Sequence, residues 1–167
     1  NTLPAIQLKS ETEGTISLPS KSVSYISDSR DNSKKGAITT SGNVVIKGDG
    51  TLNLEVFKKH GLKLDGGLTI ESGNVNIHGD VNAEGNMISA DLWFIMNGGN
   101  LTINAEGNVH ATESKGIKVN GVEGKGTGLG FVEINDGNIN IVSVGKAITA
   151  GWKIDEDATT EDTGDDP

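Results

Sequence analysis

The chain contains no cysteine, and its 167 residues include only three prolines, one arginine (Arg30) and six aromatic side chains. Without thiols there is no disulfide framework, no thiolate metal site and no cysteine nucleophile. With so few aromatics, any core must be aliphatic. No run approaches the roughly 20 apolar residues of a membrane-spanning helix, so no membrane span is expected. A dense basic patch is missing too. Removing the seven carboxylates that follow Lys153 from the net charge of −9 leaves −2 on residues 1–154. Nucleic acid is therefore not an expected partner.

Glycine is what the chain has in plenty, at 24 residues, about twice ordinary usage. The glycines lack the three-residue period of collagen, and apolar residues alternate along the chain, which argues against disorder. A repeat accounts for them. Gly50–Leu54, Gly73–Ile77, Gly99–Ile103 and Gly137–Ile141 read alike, and each follows an alternating apolar pair: Val44/Ile46, Leu68/Ile70, Phe94/Met96 and Val132/Ile134. A further pair precedes each unit, at Ile38/Thr40, Leu62/Leu64, Ile88/Ala90 and Ile117/Val119. The register extends upstream through Ile6/Leu8, Ile16/Leu18 and Val23/Tyr25, and downstream to Ile148. Between Ile117 and Val132 the spacing is nine residues longer than elsewhere, which places a surface loop at Gly121–Gly130.

Apolar residues recur at i, i+2, so each segment is a strand with one inward face. Three short aliphatic strands per repeat predict an all-β fold, a right-handed single-stranded parallel β-helix of about six coils. A β-sandwich also has short strands, but it does not require the Gly-Asn column at residues 73–74, 99–100 and 137–138. Stacked coils do, because a corner needs the positive φ that Gly tolerates, and stacked Asn amides can bond along the ladder. The β-helix domain is expected over 1–154. Its first strand falls part-way through a coil, so a domain incomplete at its N-terminus is expected. Residues 155–167 lack apolar periodicity and read as a flexible acidic tail.

The aligned coils resemble secreted bacterial carbohydrate-binding domains with a polysaccharide-lyase-like right-handed β-helix. The residues that carry the likeness are His60-Gly61-Leu62, Lys115-Gly116-Ile117, Leu68-Thr69-Ile70 and Gly98–Ile103, with the opening Pro4–Pro19 and the Ser/Asp-rich stretch around Arg30. The resemblance covers about residues 4–150. It implies non-catalytic binding of plant cell-wall or acidic polysaccharide, an extracellular or cell-surface location, and Ca²⁺ held in the loops.

Ca²⁺ takes six to eight oxygen ligands. Asp80, Asn82, Glu84 and Asp91 are the candidates to supply them, with Asp65 or Glu113 brought near by stacking. The three histidines, His60, His78 and His110, fall on different repeat positions and are expected at the surface. For catalysis the chain offers little. Arg30, a lyase-type base, sits in a polar loop, and outward strand positions are mostly Asn, Thr, Ser and Gly, with Glu133 the acidic exception. An enzyme is not expected.

Sugar binding calls for aromatic surface beside polar groups. Trp93 and Ile95 point outward between inward Leu92, Phe94 and Met96, and the next coil places Phe131 and Glu133 at the same positions. One coil earlier those columns hold Gly67 and Thr69. Trp93, Ile95, Phe131, Glu133 and Thr69 are the candidate carbohydrate-binding residues, with Trp152 directed inward at the last coil. The alternative is a structural or adhesive surface module with protein partners, or self-association through uncapped coil ends; a polysaccharide lyase is a third reading.

Overall fold

A computed structural model of the chain describes residues 3–9, 12–28, 35–105, 114–121 and 129–151. Its first coil holds β1 (Ile6–Leu8), β2 (Gly14–Leu18) and β3 (Val23–Ser27), and its second β4 (Gly36–Thr40), β5 (Val44–Gly48) and β6 (Thr51–Val56). The third has β7 (His60–Leu64), β8 (Leu68–Ile70) and β9 (Asn74–Gly79), and the fourth β10 (Ile88–Ala90), β11 (Trp93–Met96) and β12 (Asn100–Ala105). The fifth has β13 (Ile117–Val119), β14 (Phe131–Ile134) and β15 (Asn138–Ser143), and β16 (Ile148–Ala150) opens a sixth.

Every strand pairs in parallel with its equivalents in neighbouring coils. Three sheets result, β1-β4-β7-β10-β13-β16, β2-β5-β8-β11-β14 and β3-β6-β9-β12-β15. The fold is a parallel β-helix. Ile6, Ile38, Leu62, Ile88, Ile117 and Ile148 form one vertical file, as the repeat spacing predicts. Val75, Leu101 and Ile139 form another.

The alternation of side chains along each strand makes the core. Val44, Ile46, Leu68, Ile70, Phe94 and Met96 all point inward and are fully buried. Each large aliphatic or aromatic side chain so buried contributes about 1.5–3 kcal/mol. No single coil could bury these faces alone; each needs the coil above and below.

The corner between second and third sheets is built as the Gly-Asn column requires. Gly73, Gly99 and Gly137 have φ of 95°, 83° and 99°, a region costly for other residues. The asparagines that follow form a ladder: Asn100 Nδ2 donates to Asn74 Oδ1 at 2.7 Å, and Asn138 Nδ2 to Asn100 Oδ1 at 2.9 Å. Gly121 and Gly130, between β13 and β14, lie side by side, since a β-carbon on Gly130 would lie 3.1 Å from the Gly121 α-carbon.

The first coil departs from the expected register. Ile16 pairs with Ile46 rather than Val44, which is faced by Gly14, and Leu18 stands opposite Gly48. In β3 the slip is a single residue. Ser24 and Ile26 pair with inward Leu52 and Leu54, while Val23 and Tyr25 pair with Thr51 and Asn53 and point out. A one-residue slip moves every side chain to the opposite face. The turn before β3 causes it: Ser22 N and Oγ both donate to Pro19 O, at 3.0 and 2.7 Å, with Lys21 at a φ of 63°. The expectations for Arg30, His110, Glu113, Trp152 and the tail at 155–167 fall outside the described residues, as does most of the Gly121–Gly130 loop.

Candidate functional site

The outer face of the second sheet carries the residues singled out for ligand contact. β11 and β14 pair Trp93 with Phe131 and Ile95 with Glu133, and β8 aligns Thr69 with Ile95. All five therefore lie on one face. Parallel pairing sets the two aromatics one coil apart, and their rings stack with centroids 6.5 Å apart and planes inclined by 20°. Both are half-buried.

Gly67 decides how the indole lies. A β-carbon at that position would come within 2.1 Å of the Trp93 ring, so the ring occupies the space that a side chain would fill. The Gly67 amide in turn donates to Asn43 Oδ1 at 2.9 Å. Trp93 is thus held from one side by the coil below and from the other by Phe131.

A polar chain borders this surface. Asn135 Nδ2 donates to Glu133 Oε1 at 2.7 Å and to Asn97 Oδ1 at 2.9 Å, and Asn97 Nδ2 donates to Glu71 Oε1 at 3.0 Å. These exposed amides and carboxylates stand at the end of the strands that carry the aromatics. An aromatic platform beside donors and acceptors is suited to a ring that is apolar on its face and hydroxylated at its edge.

The acidic candidates are arranged differently from the aromatic ones. Asp80 Oδ1 accepts from the Asn82 amide at 3.0 Å and from Asn82 Nδ2 at 2.9 Å, closing a local turn. Glu84 pairs with Lys58 at 3.4 Å. Asp91 accepts from Lys63 at 3.1 Å and from Asn120 Nδ2 at 2.9 Å, and Asp65 lies 3.6 Å from the same ammonium. Stacking does bring Asp65 beside Asp91, but with the Lys63 ammonium between them. Among the described residues no group of three or more His, Cys, Asp or Glu is gathered as a metal site. The four residues as placed do not fit a Ca²⁺ shell of six to eight oxygens.

His60 is not the surface residue expected from its repeat position. It is mostly covered, and burial holds its imidazole down at about 4, with Lys63, Lys59 and Lys118 adding to the effect. Its Nδ1–H donates to the Asn86 carbonyl at 2.9 Å, because a carbonyl can only accept. A neutral, bonded ring of this kind builds the corner. His78 Nε2 stands 3.6 Å from Glu55 on the outside of the third sheet.

Tyr25 escaped the sequence reading. The slip in β3 turns it outward, and at 80% exposure it is the most exposed aromatic among the described residues. Its polar neighbours were legible as outward positions, whereas its own orientation depended on the turn before it.

Residues 1–164 match a family described as carbohydrate-binding domain-containing protein. No curated protein and no solved structure matches the chain.

Proposed function

The chain belongs to the carbohydrate-binding domain-containing family, and from that premise we propose that it binds polysaccharide, without cleaving it, on the outer face of its second sheet. The stacked pair of Trp93 and Phe131, 6.5 Å apart on adjacent strands, carries the proposal. Sugar rings present C–H faces that pack on aromatic surface, and their hydroxyls need partners when water is displaced. Trp93 and Phe131 supply the platform. Thr69 and Glu133 supply polar groups in the neighbouring file, and Ile95 fills the apolar space between them.

Rigidity favours this site. Gly67 beneath the indole and Phe131 beside it restrict Trp93 before a ligand arrives, so little side-chain freedom is lost on binding. For a partner of plant cell-wall type or an acidic glycan, the location we propose is extracellular or at the cell surface.

Retention on insoluble pectin tests the reading. Trp93→Ala and Phe131→Ala should each weaken binding about tenfold, as removal of a central aromatic anchor does. Equal retention of all three proteins would remove this face from the account. Incubation with polygalacturonate, followed in the ultraviolet for unsaturated products, should show no turnover; their appearance would make the protein a lyase.

A further inference from the structure

We propose that the outer face of the third sheet is a second, separate binding groove, which takes one strand of an uncharged, β-1,4-linked polysaccharide along the helix axis. The proposal rests on the family's carbohydrate binding but not on the Trp93 face, which lies on a different sheet.

Two outward files border the groove. One runs Tyr25, Asn53, Asn76, Thr102 and the other Ser27, Glu55, His78, Asn104, each step being one coil. The files are two residues apart on every strand, about 6.6 Å, and repeat every ~4.8 Å along the axis. They enclose a shallow cleft of about 340 Å³. Its floor is strand backbone, since Ile26, Leu54 and Ile77 turn their side chains inward. A straight cleft with one polar row per coil matches an extended chain better than a coiled or branched one.

The chemistry selects the ligand. Asparagine amides both donate and accept, as sugar hydroxyls do. Asn76 Nδ2 donates to Asn53 Oδ1 at 2.9 Å, a bond that engages only one half of each amide and holds both side chains in place. Tyr25 stands at the first-coil end, with 80% of its surface exposed, as a platform for one sugar face. Among the described residues neither Lys nor Arg lines the cleft, and the Glu55 carboxylate there stands 3.6 Å from His78 Nε2. These residues offer a polyuronate no fixed positive charge, whereas the hydroxyls of a neutral glucan meet amide donors and acceptors.

Calorimetric titration of the whole chain with cellohexaose and with hexagalacturonate separates the two faces. In a Trp93→Ala background the chain should still bind cellohexaose, and adding Tyr25→Ala or Asn76→Ala should weaken that binding at least tenfold. Thermal melting checks that each variant folds. Hexagalacturonate binding to the otherwise unaltered chain should be the same with and without Tyr25→Ala. If Trp93→Ala alone abolishes cellohexaose binding, or if neither added substitution weakens it, the groove is overturned while the aromatic face can stand. If Trp93→Ala has no effect on either ligand and Tyr25→Ala abolishes cellohexaose binding, the groove stands and the aromatic face falls. No binding of either sugar by the unaltered chain overturns both.

Discussion

The indole of Trp93 lies over the α-carbon of Gly67, in space where a β-carbon would approach the ring to 2.1 Å. The two residues belong to adjacent coils, so the aromatic face is a product of stacking and not of either coil alone. Gly67→Ala should push the ring outward. Overpacking of this kind costs about 1–3 kcal/mol, and the midpoint of urea denaturation should fall accordingly. An unchanged midpoint would mean that the ring does not rest on Gly67.

The Asn74–Asn100–Asn138 ladder makes a graded prediction. Asn100 takes part in two amide bonds and Asn138 in one. Each net bond contributes about 0.5–1.5 kcal/mol, toward the lower end here because both residues are exposed. Asn100→Ala should therefore lower stability by about 1 kcal/mol, and Asn138→Ala by about half as much. Thermal unfolding of the two variants checks the order. A larger loss at Asn138 would contradict it.

Acid should act through His60. Its folded value of about 4 lies below the ordinary 6.5 because the ring is buried. Between those values the unfolded chain binds a proton that the folded chain does not. Stability from this group is thus fully present above pH 6.5 and is lost as pH falls towards 4. The full difference is on the order of 3 kcal/mol. His60→Gln should flatten this part of the stability profile relative to the unaltered chain. Parallel profiles across pH 4–6.5 would show that the imidazole is not held neutral.

A chain without cysteine is a clean background for testing register. Tyr25 and Asn53 face each other across β3 and β6, and parallel neighbours about 4.8 Å apart lie within the span a disulfide bridges. Tyr25→Cys with Asn53→Cys should crosslink on oxidation. Val23→Cys with Leu52→Cys, the pair implied by the spacing of apolar residues, should not. The opposite pattern would restore the sequence-based register.

Coils two to five could be read from sequence because each of their strands offers one alternation. In Leu68-Thr69-Ile70 or Leu101-Thr102-Ile103 only one set of residues can face an aliphatic core. The stretch Val23-Ser24-Tyr25-Ile26 offers two, and the choice between them lies in the Pro19–Ser22 turn, whose geometry linear spacing does not reveal. The neighbourhood of Trp93 and Phe131 followed from register alone. The fate of the acidic residues did not, because it depends on how far lysine chains reach between files. Lys63 extends from β7 to lie between Asp65 and Asp91, and Lys58 reaches Glu84, neither of which spacing discloses.

The central claim is that polysaccharide rests on the Trp93 ring. With Trp152→Phe removing the second of two tryptophans, the fluorescence of Trp93 can be followed during titration with soluble polygalacturonate. The account predicts a saturable change in emission whose midpoint equals the dissociation constant measured calorimetrically on the same variant. Saturated binding with unchanged Trp93 emission would contradict it.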